Sequence, residues 1–519
     1  MSALTFLTFT PLIGAALAAI VPKKHAGYIR ALGFGFMLSS LAWALFLAFA
    51  YRRDIGGIQF SEWHLWVPNL NLGITYFLGV DGLSTMLILL TAIITPFALL
   101  AAGSSLSKLN VVMMLLLQSA LFGTFTALNF IHWFLFYELS LVPAFFLIRS
   151  GGGKLASVAA FRFFVYTLLG GLAMLVSFLA IQLATHTFDL LHLASLGQSG
   201  DLDRMLDAQF GSLGFGPGGI SLLVFAGIFL GLAVKVPVVP FHTWLPDAYA
   251  EAPSPVSMLL TGLMSKMGLY GFLRLLLPLF PARMQALSTP LLWLAVITIV
   301  FSAIAALAQK DIKRLLAYSS VNHLGYCLLA IFAFAAVPHG PPNDRAAAMD
   351  GVLLQIFNHG LTASALFCFV AFIERRSGGL RGLADFGGLR SAAPVIAGLM
   401  GIAIFSSLGL PGLNGFVGEF LIFKGTLALG AFQMINESSG AVLRAVVFAA
   451  IGLFVTAVFL LNLIQKVFTG PLPERWAKFP DLSSGEILTV APVITLIFVL
   501  GIYPQLLIAL FNKTVLFLP

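Results

Sequence analysis

Four charged side chains lie inside apolar runs of this 519-residue chain. Glu138 stands in NFIHWFLFYELSLVPAFFLI, Lys235 follows LLVFAGIFLGLAV, Lys266 lies in SMLLTGLMSKMGLYGFL, and Glu419 lies in GLPGLNGFVGEFLIF. One charge at the centre of a membrane helix costs about 2.5–3.5 kcal/mol. Four such charges in one chain therefore predict a hydrated interior in which the charged side chains pair with one another. Buried lysines and glutamates in such a place can gain and lose protons, because burial and pairing act on their charge in opposite directions.

Two histidines occupy similar apolar runs, His323 in LLAYSSVNHLGYCLL and His359 in LLQIFNHGLTASALF. An imidazole titrates near neutral pH, so it can both accept and release a proton. Lysine, histidine and glutamate along one polar axis are the groups that a proton path would use. The alternative is that the histidines are hydrogen-bonded packing residues and that the charges form structural ion pairs or extend to a membrane surface.

The elements that carry these residues are predicted to be membrane-spanning helices. Hydrophobic residues make up 60% of the chain and charged residues only 9%, whereas about 20 apolar residues suffice for one span. Apolar runs of that length predict an all-α polytopic membrane protein with about 14 transmembrane helices. They begin near residues 2, 31, 82, 109, 129, 157, 220, 255, 289, 315, 347, 392, 443 and 487.

Basic residues are unevenly divided between alternate loops, in a ratio of about two to one. Placing the richer set in the cytoplasm puts both chain termini on the non-cytoplasmic side, which agrees with an even number of spans. The first apolar run has no basic residue before it and no small-residue cleavage site after it. We therefore expect it to be a retained helix and not a signal peptide.

Two of the predicted spans are interrupted by proline. VKVPVVPFHTWLPDA carries prolines at 237, 240 and 246, and SSLGLPGLNGFVGEF carries Pro411 between glycines. Both helices should unwind, and broken helices at matching places in two halves are typical of a transport path built on internal repeats. We predict two inverted five-helix repeats, residues 109–279 and 289–468, each with one broken helix. Residues 1–108 hold the first three helices and residues 485–519 the last.

The sequence contains no motif that indicates a soluble catalytic domain or a cofactor-binding site. The longest loops contain no phosphate-binding loop, no GxGxxG motif after a strand and no cluster of metal ligands. Cys327 and Cys368 are the only cysteines, too few for an iron–sulfur cluster, which takes about four. We expect this chain to bind no cofactor or metal, and no nucleic acid, because the basic residues form no clustered face.

Several motifs taken together resemble the antiporter-like subunits of proton-pumping NADH–quinone oxidoreductase, respiratory complex I, within the Mrp antiporter-related superfamily. These motifs are FYELSLVPAFFLI, AVKVPVVPFHTWLPDAYAEAPSPVSMLL, SKMGLYGFLR, QKDIKRLLAYSSVNHLGY and GLPGLNGFVGEF. The resemblance covers nearly the whole chain. Glu419 is similar to the glutamate of the chain M type, whereas the chain L and chain N types resemble one another in having lysine on this broken helix.

The resemblance implies a role for each residue. Glu138 and Lys235 would be the charge pair of a first half-channel, Lys266 the central lysine, and Glu419 the terminal group of a second half-channel. Three histidines also match those of the family: His323 and His359, which would lie between Lys266 and Glu419, and His242 in the VPFHTWLPD stretch.

The same resemblance implies a setting for the chain. It would be a proton-translocating membrane-arm subunit, in a bacterial inner membrane, between chain L-type and chain N-type neighbours. NADH, FMN, iron–sulfur clusters and quinone would be bound elsewhere in the complex. The alternatives are an Mrp-type Na⁺/H⁺ antiporter subunit, although family antiporters are similar in having lysine where Glu419 stands, and a hydrogenase- or ferredoxin-linked relative. The DAYAEAPSPVS loop departs from the pattern of many members, which leaves the respiratory, photosynthetic or hydrogenase-linked subgroup open.

Overall fold

The computed structural model describes residues 2–66, 74–103, 106–216 and 218–518, except for the side chains of residues 153 and 154. Almost all of the described chain is helical, and the long helices pack side by side. The helices, with the bounds that the structure gives them, are α1 Ala3–Ile20, α2 Ala26–Ala50, α3 Gly82–Ala102, α4 Lys108–Thr126, α5 Phe130–Arg149, α6 Gly153–Thr185, α7 Leu190–Ser199, α8 Asp201–Phe210, α9 Gly219–Lys235, α10 Trp244–Glu251, α11 Ser254–Leu279, α12 Pro281–Ala286, α13 Ser288–Leu307, α14 Ile312–Ala336, α15 Pro342–Ser377, α16 Pro394–Ser407, α17 Asn414–Asn436, α18 Ala441–Phe468, α19 Ser484–Ile502 and α20 Gln505–Leu516.

Within the described ranges, 13 helices are long and apolar enough to cross a membrane. The broken helix formed by α9 and α10 adds one more crossing, which confirms the prediction of an all-α polytopic membrane protein with about 14 spans. The second broken helix consists of α16 and α17, and its longer part is already among the 13. Both interruptions lie at the proline-containing segments that predicted them, residues 236–243 and 408–413.

Each predicted repeat contains five helical spans, and the broken helix is the fourth of the five in both. In residues 109–279 these are α4, α5, α6, the α9–α10 pair and α11. In residues 289–468 they are α13, α14, α15, the α16–α17 pair and α18. The division of the chain into two repeats and the inverted relation between them both stay predictions.

The two longest loops contain short elements that the hydropathy pattern did not indicate. Strands β1 (Gln59–Leu65) and β2 (Thr75–Val80) pair antiparallel, with Gln59 opposite Val80 and Leu65 opposite Thr75. The predicted loop 186–219 contains the short helices α7 and α8. These pieces are too short to form a further domain, and they pack against the ends of the spans.

The unwound segment between α9 and α10 keeps its backbone hydrogen-bonded. The Val238 amide donates to the Ala233 carbonyl at 2.8 Å, and the Val239 amide donates to the Thr298 hydroxyl at 3.2 Å. The Trp244 indole N–H donates to the Val234 carbonyl at 3.0 Å. Because water is scarce inside a bilayer, irregular backbone is tolerated there only where protein groups satisfy it in this way. The backbone groups of the break are therefore paired without water, and Lys235 lies at the end of α9.

Charged residues surround α10 near one end of the bundle. Asp247 pairs with Arg162 and, at 2.8 Å, with Arg314. Arg381 lies 3.0 Å from Glu251 and 2.6 Å from Asp311. Arg314, which the hydropathy pattern placed in a loop, lies in the first turn of α14. This network links α10 to both halves of the chain.

The second break is held by a buried group of polar side chains around Asn414. The Asn414 Oδ1 accepts from the Ser406 hydroxyl at 2.5 Å and from the Thr362 hydroxyl at 3.3 Å. Its backbone carbonyl accepts from the Asn358 side chain at 2.6 Å. The amide side chain thus connects α16, α17 and α15 one turn before Glu419. A buried hydrogen-bonding group that is left without its partner lowers the stability of a protein by about 1–3 kcal/mol.

We predict that Asn414→Leu, which keeps the size of the side chain but removes its amide, lowers the stability of the membrane-inserted protein by about 1–3 kcal/mol. The midpoint of thermal unfolding in detergent measures the change. Asn436→Leu is the matched control, since Asn436 lies on the same helix and is exposed. Equal midpoints for the two variants would show that the Asn414 contacts do not hold the break.

Candidate functional site

Lys266 lies in a fully enclosed place at the centre of the bundle. Its side chain is 0% exposed, and its ammonium lies 2.7 Å from Nδ1 of His359. The ammonium also donates to the Thr261 carbonyl and, at 3.3 Å, to the Ser265 hydroxyl. A π-helical turn at Leu260–Met264 precedes Lys266 within α11, and such turns are frequent at functional sites. Lys266 and His359 are in direct contact.

His323 and Glu419 continue from His359. The rings of His359 and His323 have centroids 5.4 Å apart, and Nδ1 of His323 lies 3.0 Å from Oε1 of Glu419, although it is not aligned for a hydrogen bond. Gln355 donates to the same carboxylate oxygen at 3.1 Å. All four titratable residues are at most 6% exposed. Lys266, His359, His323 and Glu419 thus form a continuous line, which we call the titratable line.

Small residues bring the helices of this line together. α15 carries Gln355 and His359 one turn apart, and α17 carries Glu419. A Cβ at Gly418 would lie 2.8 Å from Oε1 of Gln355, and one at Gly425 would lie 2.7 Å from Cα of Ala348. Such close approach through small residues is typical of membrane helices. It allows Glu419 to reach Gln355 and His323.

Glu419 also lines a cavity of about 450 Å³. The cavity opens between α17 and α18 and is lined mainly by apolar side chains, among them Phe416, Phe420 and Phe454. Gly409, from the second break, forms part of its wall, and a Cβ there would lie 3.0 Å from Oε2 of Glu419. One carboxylate oxygen thus faces the titratable line and the other faces this cavity.

Glu138 and Lys235 are not in ion-pair contact in this structure, and their predicted role as the charge pair of a first half-channel stays a prediction. Both side chains are described, and no ion pair joins them. The Lys235 ammonium donates to the Ser140 hydroxyl at 3.2 Å and lies 4.5 Å from the centre of the Tyr137 ring. The Glu138 carboxylate instead lies against Gly171 of α6, where a Cβ would overlap it. Tyr137 thus packs beside Lys235, and Glu138, the next residue of the helix, lies against α6.

The seven predicted site residues fall into three places. Lys266, His359, His323 and Glu419 form the titratable line, and Glu138 and Lys235 both lie near Tyr137, without an ion pair between them. Across the described chain, no hydrogen bond or ion pair joins Lys235 to Lys266. His242 stands apart in the first break, with its ring centroid 5.3 Å from that of Phe301 and 6.2 Å from that of Tyr318.

Three residues that contact the candidate site residues were not predicted from the sequence: Gln355, Ser140 and Tyr137. Gln355 could have been found, because it precedes His359 by four residues and so lies on the same helix face. Ser140 stands two residues after Glu138 and Tyr137 one before it, and nothing in the pattern distinguishes them from other residues of an apolar helix. The π-helical turn before Lys266 left no signal in the hydropathy pattern either.

Metal binding has no candidate site in the part of the chain that the structure describes, since no group of three or more His, Cys, Asp or Glu side chains converges there. Cys327 lies close to this region, with its thiol 3.8 Å from the His323 carbonyl. Cys327 and Cys368 are both buried and unpaired. The chemistry that this arrangement offers is proton exchange between neighbouring bases.

Comparison with known proteins places this geometry in a family. Residues 127–444 match the family described as NADH:quinone oxidoreductase/Mrp antiporter, TM, and this range contains all seven candidate residues. Subunit M of NADH-quinone oxidoreductase from Rickettsia conorii is 34% identical over 461 residues, covering 88% of this chain and 85% of the relative. The subunit M of Rhodobacter capsulatus is 34% identical over 524 residues, covering 99% of this chain and 95% of the relative.

A solved structure gives the same result for the fold. A chain of respiratory complex I from Thermus thermophilus, determined with bound NADH, matches with a TM-score of 0.79 and 25% sequence identity. The match covers 99% of this chain and 99% of that chain. Both the sequence and the fold therefore agree over nearly the full length. The chain belongs to the NADH:quinone oxidoreductase/Mrp antiporter membrane family and, within it, to the M-type subunits of NADH-quinone oxidoreductase.

Proposed function

We propose that this chain moves protons across the membrane as a membrane-arm subunit of a redox-driven NADH–quinone oxidoreductase. The observation that carries the proposal is the titratable line from Lys266 to Glu419, in which each of four buried titratable side chains lies beside the next. A lysine, two histidines and a glutamate can each hold or release a proton, and their neighbours are within reach of direct or water-mediated transfer.

Transfer along the line needs only proton movements. Lys266 gives a proton from its ammonium to Nδ1 of His359, which is 2.7 Å away. The imidazole releases a proton from its other nitrogen toward His323, and His323 delivers one from Nδ1 to Oε1 of Glu419, 3.0 Å away. Each imidazole accepts on one nitrogen and gives from the other, so it must turn or exchange protons with water before the next transfer.

The first half of the path requires a conformational step. Glu138 and Lys235 both lie near Tyr137 without an ion pair between them, and Lys235 is not joined to Lys266. We infer that a rearrangement brings Lys235 alternately toward Glu138 and toward Lys266, with Ser140 holding the ammonium between transfers. The hydrogen-bonded first break, at whose edge Lys235 lies, is the element that would move. His242 lies in the same break. Its surroundings would change with that movement, but His242 would not carry the proton.

The cavity beside Glu419 supports an exchange of protons at the end of the line. Oε2 of Glu419 faces this cavity, so the carboxylate can receive a proton from His323 on one side and release it on the other. We propose that a chain L-type subunit and a chain N-type subunit flank this subunit on opposite sides in the membrane arm. NADH, FMN, iron–sulfur clusters and quinone would be bound by other subunits.

The bacterial inner membrane is the location that this function requires, and the distribution of basic residues supports both termini on its non-cytoplasmic side. An Mrp-type antiporter subunit is the competing function within the same family. Glu419 favours the redox-driven complex, as do relatives named as subunit M over nearly the full length of the chain.

We predict that the double variant His323→Gln/His359→Gln loses more than half of the proton pumping per electron, while either single variant loses less. Glutamine keeps hydrogen bonding but cannot titrate, and a water molecule can bypass one imidazole more easily than two. The measurement is the ratio of protons moved to NADH oxidised, with the assembled complex in sealed vesicles.

His132→Gln serves as the control for this experiment, since His132 is buried against Tyr76 and Phe136 and lies off the titratable line. That variant should keep the pumping ratio, even if the complex becomes less stable. A double variant that assembles and pumps at the parent ratio would reduce His323 and His359 to packing residues and remove the main support of the proposal.

We also predict that Gly171→Ala lowers the pumping ratio, because the new methyl group overlaps the Glu138 carboxylate and must displace it. The loss should resemble that of Glu138→Gln. Gly398→Ala is the matched control, since a Cβ at that helical position meets nothing within 4 Å. If Gly171→Ala and Gly398→Ala pump equally well, the position of Glu138 beside α6 does not matter for transfer.

A further inference from the structure

A second cavity, of about 210 Å³, lies on the outer face of the bundle, away from the titratable line. It is bordered by the end of α2, by α3 and α15, and by α19 and α20, and its lining is almost entirely apolar. Leu500 and Leu510 form a buried floor, 3% and 4% exposed, whereas Phe49 and Leu506 at its edge are 80% and 47% exposed. We call this cavity the acyl crevice.

Arg53 is the one charged residue that lines the acyl crevice in the described structure. The segment that carries it packs on α20, because a Cβ at Gly56 would lie 2.6 Å from the Phe517 ring and 3.3 Å from Cβ of Lys513. Arg53 and Lys513 are both exposed. Arg53 thus stands at the edge of an apolar cavity, and Lys513 lies on α20 beside the segment that carries Arg53.

Neither cation has an acidic partner among the residues described. The nearby Asp54 pairs with Arg52 at 3.3 Å. Arg204 and Arg283, two basic residues elsewhere in the chain, pair with Asp201 at 2.5 Å and Asp203 at 3.3 Å. Arg53 and Lys513, unlike Arg204 and Arg283, have no acidic partner among the described residues, so their positive charges are available to a ligand.

We propose that the acyl crevice binds an anionic phospholipid, with one acyl chain along the apolar lining and the phosphate between Arg53 and Lys513. Arginine is well suited to phosphate because its planar group offers several donors, and lysine adds a point charge. An apolar tail gains from leaving water or loosely packed lipid for a shaped cavity. A zwitterionic lipid would offer the same tail and phosphate without the net charge that two unpaired cations favour.

The site would stabilise one end of the bundle. α20 carries Thr514, whose hydroxyl accepts from the Gly82 amide at 2.9 Å at the start of α3. Next to it, Asp81 pairs with Arg274 at 2.5 Å in a buried position. A lipid held between α2 and α20 would keep α20 on this end of the bundle. The inference does not depend on the proposed proton path.

Photolabelling of the purified complex tests the site. The probes are phosphatidylglycerol and phosphatidylcholine, each with a photoreactive group in one acyl chain, and the labelled residues are mapped by mass spectrometry. Phosphatidylglycerol should label residues of the acyl crevice more strongly than phosphatidylcholine does. Arg53→Gln and Lys513→Gln should each reduce this labelling about fivefold, since one cation near a membrane surface contributes about that factor toward an anionic lipid.

Two controls separate headgroup from tail. Arg204→Gln/Arg444→Gln removes the same net charge away from the crevice and should leave the labelling unchanged. Leu506→Trp fills the exposed edge of the crevice and should block labelling while Arg53 and Lys513 remain. The proposal is overturned if both lipids label equally, if Arg53→Gln/Lys513→Gln labels like the parent, or if crevice residues stay unlabelled in the intact complex.

Discussion

A polar or charged group inside a bilayer has to find its partners within the protein, because almost no water is available to replace them. This constraint governs every unusual feature of the chain. Both helix breaks are surrounded by side chains that satisfy the freed backbone, as Thr298 and Ser406 do. Lys266, fully enclosed, is held by a carbonyl, a hydroxyl and the ring nitrogen of His359. Groups that satisfy one another in this way are also groups that can exchange protons.

The same constraint explains why the two halves of the path differ. From Lys266 to Glu419 each titratable group lies beside the next, so in the proposed path protons would move without rearrangement of the helices. Around Lys235 the partners are a hydroxyl and an aromatic ring, and Glu138 lies against α6 without an ion pair to Lys235. A permanently continuous path through both halves would let protons leak across the membrane. In the proposed function, the separation of Lys235 from both Glu138 and Lys266 would give the redox-driven complex a step that it can control.

Much of this arrangement could be predicted from the sequence, and the reasons are physical. Charges and prolines inside apolar runs are rare enough to stand out, so Glu138, Lys235, Lys266, Glu419 and the two helix breaks were all found. Partners could not be found in the same way, since Lys266 and His359 are 93 residues apart in sequence and meet only through helix packing. The β1–β2 hairpin and the π-helical turn before Lys266 left no hydropathy signal. The orientation of Glu138 depends on the rotation of α5 against Gly171, which no local pattern specifies.

The measurement that tests the account most directly is the proton-to-electron ratio of the complex in sealed vesicles with Glu419→Gln and Glu419→Asp. Glutamine keeps the shape and the contact with Gln355 but cannot titrate, whereas aspartate keeps a titratable carboxylate on a shorter side chain. If Glu419 ends the proton path, Glu419→Gln loses most of its pumping while Glu419→Asp retains a substantial part, with both variants assembled. A Glu419→Gln complex that pumps at the parent ratio would contradict the account, because protons would then cross this subunit without the titratable line.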